Sequence, residues 1–129
     1  INLFNEKNNG ETLLKLIDNN LIKSAHDISL GGIITAVSKM CIKGNKGINL
    51  KKPKYLISEL EYFFAEDQGR YIVEINKNNL LKIEKILKDN EIYYENIGFT
   101  QKDYFEIEGE LKMSTKDLFK INNEWYNNY

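Results

Sequence analysis

Ser24-Ala25-His26-Asp27-Ile28-Ser29-Leu30-Gly31-Gly32 decides how this 129-residue chain is read. A short strand is expected through Ile22 to Ile28. A helix should follow from Gly31 to Lys43, stopped by Gly44. Ile33, Val37, Met40 and Cys41 recur at i, i+4, i+7 and i+8, the spacing of one apolar helical face. Ser29 is the expected N-cap, its hydroxyl accepting a free amide hydrogen of the first turn. Gly31 and Gly32 lack a Cβ, so a ligand can come close to their amides. Those amides and the positive helix end favour an anion, most often phosphate. The same residues also suit a capped helix with a tight turn and a hydrogen-bonded histidine.

His26 is the chain's single histidine. It can orient Asp27, contact a phosphate, or be satisfied by the backbone, since either protonation state is accessible near neutrality. Asp27 is the metal candidate. One carboxylate with phosphate oxygens and waters is a usual Mg²⁺ arrangement, because magnesium keeps much of its hydration; a loop cap or lysine partner is the competing role. No Ser/His/Asp triad is present, as His26 lies only three residues from Ser29 rather than across a cleft.

A second cluster, Phe63-Phe64-Ala65-Glu66-Asp67-Gln68-Gly69-Arg70, runs into Tyr71-Ile72-Val73-Glu74-Ile75, a strand by alternation and β-branched content. Arg70 is the only arginine among many lysines. A planar guanidinium offers a bidentate fork that an ammonium lacks, so a fixed carboxylate or phosphate partner is expected. Glu66 or Asp67 as a structural partner explains it equally well.

The pair His26-Asp27-x-Ser29-x-Gly31-Gly32 and Glu66-Asp67-Gln68-Gly69-Arg70 resembles the C-terminal domain of phosphoribosylformylglycinamidine synthase, in particular the synthetase subunit of the multi-subunit bacterial enzyme. Glu6-Lys7-x-Asn9-Gly10 and Met40-Cys41…Gly44 extend the likeness over nearly the whole chain. The wider superfamily includes aminoimidazole ribonucleotide synthetase. The synthetase subunit contains a two-domain unit twice, and His26 with the Asp67-Gln68-Gly69-Arg70 ending is similar to the second copy. Leu30 departs from the acid that many members carry there.

The resemblance implies an ATP-dependent ligase of purine biosynthesis. That enzyme converts formylglycinamide ribonucleotide to the amidine with glutamine-derived ammonia, using ATP and Mg²⁺ in its full-length form. It implies upstream domains, a glutaminase subunit and a small accessory subunit as partners. It also implies nucleotide or phosphate contact by His26, Ser29, Gly31, Gly32, Glu66, Gln68 and Arg70, with Asp27 toward the metal and no catalytic residue in this domain. The isolated domain is expected to be inactive. A structural or assembly domain with a vestigial phosphate site is the alternative, as is the matching domain of another superfamily enzyme such as aminoimidazole ribonucleotide synthetase.

Composition bounds the rest. Apolar residues make up 42% and charged residues 29%, an ordinary globular balance for one domain over 1–129. The chain opens on Ile1 rather than methionine, which is expected of an excised domain or a fragment of a longer polypeptide, and the resemblance to the second copy implies the last domain. A net charge of −1 with pI ≈ 5.9 leaves no basic footprint for nucleic acid. No apolar run approaches the roughly 20 residues that span a bilayer, and no signal peptide is expected. Cys41 is alone, so neither a disulfide nor a cysteine metal site can form within the chain. A cytoplasmic location is expected.

The remaining elements are an irregular lead-in over Ile1 to Asn9 and a helix from Glu11 to Asn20. Then come a brief strand from Gly47 to Leu50, a loop at Lys51-Lys52-Pro53-Lys54, and a helix or turn from Ile57 to Phe64. A helix from Asn79 to Asp89 follows, with strands over Ile92–Phe99 and Tyr104–Met113. In the last, Phe105, Ile107, Leu111 and Met113 alternate onto one buried face, and Gly109 allows a bulge or close packing. Ser114 with Asp117 resembles a helix cap before Leu118, Phe119 and Ile121. The tail Trp125-Tyr126…Tyr129 is expected to pack on a neighbouring domain. Helices mixed with strands fit an α+β or α/β sheet covered by helices, and the resemblance implies the α+β form, a mixed sheet layered with helices.

Overall fold

Two β ladders set the architecture. The computed structural model describes residues 2–53 and 58–127, and the side chains of all of these except residues 125 and 127. Expectations for Lys54, Ile57, the Trp125 side chain and Tyr129 lie outside those residues. Strands β1 (Ile22–Asp27) and β3 (Tyr71–Ile75) form an antiparallel ribbon that pairs Ala25 with Val73 and Asp27 with Tyr71. The second sheet has the order β4-β2-β5-β6, from β2 (Gly47–Leu50), β4 (Gly98–Gln101), β5 (Tyr104–Ile107) and β6 (Leu111–Ser114). It is mixed: β2 runs parallel to β5 and antiparallel to β4, and β5 and β6 form a hairpin.

Helix α2 (Gly32–Gly44) carries the periodicity expected of it. It buries Ile33, Ala36, Val37 and Cys41. They pack with Ile28, Leu50, Phe63, Ile72, Phe105 and Ile107 into the main core, where each fully buried Leu or Ile contributes about 1.5–3 kcal/mol. Phe63 comes from α3 (Glu59–Phe64). A smaller core joins Leu16 of α1 (Leu3–Asp18) and Ile83 of α4 (Leu80–Asp89) to Leu21, with Ile22 and Ile75 packed against it. The ribbon therefore supplies Ile28 and Ile72 to one core near one end, and Ile22 and Ile75 to the other.

Three expectations need correction. The lead-in is not irregular: residues 3–9 are the first two turns of α1, because the Asn2 side chain accepts the amides of Phe4 and Asn5 at 3.1 and 3.2 Å. Asn8 and Asn9 are weak helix formers, yet their side chains donate to distant carbonyls, Asn90 at 2.8 Å and Gly69 at 2.9 Å. Tertiary bonds thus hold helical a segment whose propensity is poor.

The stretch from Tyr104 to Met113 is two strands rather than one. Gly109, with φ +75°, turns the chain instead of bulging it, and the Glu110 amide closes onto Ile107 O at 3.0 Å. As a result Phe105 and Ile107 are buried, Met113 is half-buried and Leu111 is exposed on the edge strand. Of Ile92–Phe99, only Gly98 and Phe99 join a strand. The segment before it is occupied by other contacts: Glu95 accepts the hydroxyl of buried Tyr62, and Ile97 O accepts the Lys51 amide. Ser114 does cap α5 (Thr115–Asn127), its hydroxyl accepting the Asp117 amide at 3.1 Å.

Candidate functional site

The ribbon brings the two motifs together. Asp27, the last residue of β1, lies opposite Tyr71, the first of β3, and the Ile28 amide extends the pairing to Arg70 O at 2.9 Å. The loop Ile28–Gly31 and the turn Glu66–Arg70 leave that end of the ribbon side by side. With Glu6 from α1, they line a cleft of about 450 Å³ that includes Asp27, Ser29, Leu30, Glu66, Gln68 and Arg70.

The start of α2 differs from expectation. Gly31 itself is the N-cap, in the left-handed region at φ +80°, and no side chain caps through the Ser29 hydroxyl. Ser29 contributes its carbonyl instead, which accepts the Gly32 amide at 3.0 Å. The Gly31 amide donates to Glu66 Oε1 at 2.7 Å. The Glu66 carboxylate thus stands where an oxyanion was expected. A carboxylate at a helix N-terminus is favoured by the same dipole that favours phosphate.

Both glycines are fixed by geometry. A Cβ on Gly31 would lie 2.1 Å from Thr35 Oγ1, and one on Gly32 would lie 2.6 Å from Phe63 O. Gly32, at φ +66° and buried, faces α3 rather than the cleft. The pair lets α2 start hard against α3, and its two amides are satisfied inside the chain.

His26 is half-buried, paired across the ribbon with Ile72. Its Nδ1 lies 2.6 Å from Asp27 O and 3.3 Å from Asp27 Oδ1. Asp27 projects its carboxylate into solvent with a side-chain exposure of 62%. Arg70 resolves its choice of partner in favour of Asp67, with Nη1 to Oδ2 at 3.1 Å, rather than Glu66. Gln68 is exposed at the rim. No group of three or more His, Cys, Asp or Glu arranged for a metal occurs among the described residues, so Asp27 offers one carboxylate and no cage.

Glu6, Asp27 and Glu66 outnumber Arg70 on the cleft wall, and Asp67 already takes part of that guanidinium's charge. In the core, burial pushes the Tyr62 hydroxyl's pKa up, reinforced by its bond to Glu95, while the Arg70 charge pulls the other way. Sequence reasoning did not place Glu6, Asn9 or Tyr71 at the site. Glu6 and Asn9 belong to the Glu6-Lys7-x-Asn9-Gly10 stretch of the resemblance, and only the third dimension shows why that stretch matters.

Residues 2–108 match the family model described as AIR synthase related protein, C-terminal domain. The chain belongs to that family. The family match runs from α1 through β5, so it takes in both motifs and the cleft between them. Among curated proteins, the phosphoribosylformylglycinamidine synthase subunit PurL of Pelagibacter ubique strain HTCC1062 is 57% identical over 129 residues, all of this chain and 18% of that protein. The PurL subunit of Bartonella bacilliformis is 34% identical over 121 residues, 94% of this chain and 16% of that protein. The chain therefore spans less than a fifth of these relatives. Among solved structures, Thermotoga maritima PurL complexed with FGAR superposes with a TM-score of 0.75 at 18% identity, covering 88% of this chain and 21% of that one. The PurLQS structure from the same organism gives 0.77 with the same coverage. These two show that the chain shares its fold with the matching part of those structures.

Proposed function

We propose that this chain is the last domain of the synthetase subunit of phosphoribosylformylglycinamidine synthase, occupying residues 1–129 of the present numbering. The full enzyme would convert formylglycinamide ribonucleotide to the amidine, with ATP activating the amide oxygen and glutamine-derived ammonia as nucleophile. The observation that carries this reading is the 57% identity to a PurL subunit along the entire chain. The relatives named above are PurL subunits, so the aminoimidazole ribonucleotide synthetase alternative has no comparable support. The Thermotoga PurL structure complexed with ATP supports ATP as the nucleotide, and the PurLQS structure supports partner subunits in the assembly. The cytoplasm is the compartment proposed; no helix among the described residues is long and apolar enough to cross a membrane.

At the site, the roles divide. Arg70, Gln68 and Ser29 line the cleft and present the polar groups that would meet a nucleotide phosphate. Asp27 would contact Mg²⁺ through one carboxylate, a fit that works only if phosphate oxygens and waters complete the shell. When bound, the ion would neutralise phosphate charge. That suits a cleft whose wall is acidic, because bare phosphate would face like charge. His26 holds Asp27 in place, Gly31 and Gly32 shape the turn, and Glu66 completes the first turn of α2.

The test uses the full-length subunit. Arg70→Ala should weaken ADP binding by about tenfold, the loss of one charge-assisted contact of about 1.5 kcal/mol, and the 129-residue chain alone should show no turnover. Wild-type ADP affinity and amidine formation in Arg70→Ala would remove Arg70 from the site. Turnover by the isolated chain would remove the claim that the reaction needs the rest of the subunit.

A further inference from the structure

We infer that Asn9 of α1 is a positioning residue for the cleft: its side chain holds the Gln68-Gly69-Arg70 turn at the place from which it meets a ligand. The inference rests on the nucleotide reading of the cleft given above.

The turn leaves the core early. Glu66, Asp67 and Gln68 are exposed, and Gly69 adopts φ +72°, a conformation with little intrinsic preference to keep it in place. Within the turn, Arg70 and Asp67 bind each other, which stiffens the turn without fixing where it sits. Among the described residues, two bonds tie it to other elements by side chains. Glu66 reaches the Gly31 amide of α2 at one end. At the other end, Asn9 Nδ2 donates to Gly69 O at 2.9 Å, across 60 residues of sequence and in a half-buried setting.

Shape supports the same contact. A Cβ on Gly69 would meet Glu6 atoms at 3.3–3.4 Å, and one on Gly10 would lie 3.7 Å from the Tyr71 hydroxyl. One face of α1, through Glu6, Asn9 and Gly10, is thus laid along the chain from Gly69 to Tyr71. Arg70 lies between those two contacts, so the direction of its guanidinium depends on where α1 holds its neighbours. The Arg70 backbone oxygen also accepts the Ile28 amide, so a shift of the turn would be passed to the Asp27-Ile28-Ser29 side of the cleft.

Asn8 provides an internal control. It is the adjacent residue of α1, and its Nδ2 makes the same kind of bond, to Asn90 O at 2.8 Å, at the end of α4 and outside the cleft. Asn8→Ala and Asn9→Ala should cost similar stability, since each removes one side chain–backbone bond. Only Asn9→Ala should act on the site.

The experiment compares both variants in the full-length subunit, titrated with ADP in the presence of magnesium, alongside hydrogen exchange of the 66–71 amides. Asn9→Ala is expected to raise exchange in that turn and weaken ADP binding by about two- to tenfold, the range of one neutral hydrogen bond. Asn8→Ala should leave both readouts at wild-type values. If the variants weaken binding equally, or if exchange rises without loss of affinity, Asn9 has a structural role only and the inference falls. If the wild-type subunit's ADP binding is unaffected by Arg70→Ala while Asn9→Ala still loosens the turn, the nucleotide reading of this cleft fails, and with it the ligand role of Asn9.

Discussion

Glu66 and Gly31 meet through a single hydrogen bond of 2.7 Å, carboxylate oxygen to backbone amide, across 35 residues of sequence. It is the contact that couples the Glu66–Arg70 turn to the start of α2, and it replaces the cap that Ser29 was expected to supply. The acid is favoured there because it accepts an amide otherwise without an intrahelical partner and because its charge opposes the helix dipole.

Glu66→Ala should therefore destabilise the fold by about 1 kcal/mol, the usual cost of a lost N-cap. Glu66→Gln keeps an acceptor oxygen and should lose less. Urea unfolding of the three proteins checks the order; equal midpoints for Glu66→Ala and wild type would show that the bond contributes nothing.

Gly32→Ala should be far more damaging than most surface changes, at about 2–4 kcal/mol. The new Cβ would enter a left-handed backbone position and lie 2.6 Å from a carbonyl oxygen of α3. A thermal midpoint within a degree or two of wild type would contradict the packing described here. Gly44→Ala, with open space around its Cβ, serves as the comparison.

Thr12 presents the opposite case. It is 1% exposed and its hydroxyl has no hydrogen-bond partner among the described residues. Thr12→Val keeps the shape and branching while removing an unsatisfied polar atom, so stability should rise, by about 1 kcal/mol. Loss of stability on denaturant titration would mean the hydroxyl is satisfied in solution.

Cys41 should be inert in the native state. Burial, with a smaller contribution from the Glu74 charge, raises its pKa from 9.0 to about 11. A thiol-specific reagent at pH 7.5 should modify it slowly until denaturant is added, because the thiolate is the reactive form. The raised pKa means the folded state holds this proton more tightly than the unfolded state does. Its contribution to stability is therefore complete below pH 9 and lost as pH rises from 9 toward 11. Rapid native-state labelling at pH 7.5, or a Cys41→Val variant with the same alkaline stability loss as wild type, would contradict this.

Much of the fold could be read locally. The i, i+4, i+7, i+8 spacing in α2, the β-branched run of β3 and the helix stop at Gly44 all report on a segment's own environment. The structure has an apolar helical face, a strand and a helix end there, although burial along β3 does not alternate. The errors fall where a segment's state depends on a partner far away in sequence. Asn8 and Asn9 look like poor helix material until their bonds to Asn90 and Gly69 are seen. Tyr104–Met113 keeps its alternation through Gly109, so periodicity could not show that the chain reverses there.

The candidate site divides along the same line. By itself the sequence determined which polar groups Asp27, Ser29, Gln68 and Arg70 have to offer, because residue identity fixes which groups can accept, donate or carry charge, and its two motifs marked one family of domains. Only the tertiary structure decided which groups meet. Arg70 takes Asp67 rather than Glu66, and the amides of Gly31 and Gly32 are taken by Glu66 and by the Ser29 carbonyl. Each of these choices is a competition between partners of nearly equal intrinsic strength. Such competitions are settled by distance and direction, which exist only once the ribbon has brought residues 27 and 71 side by side.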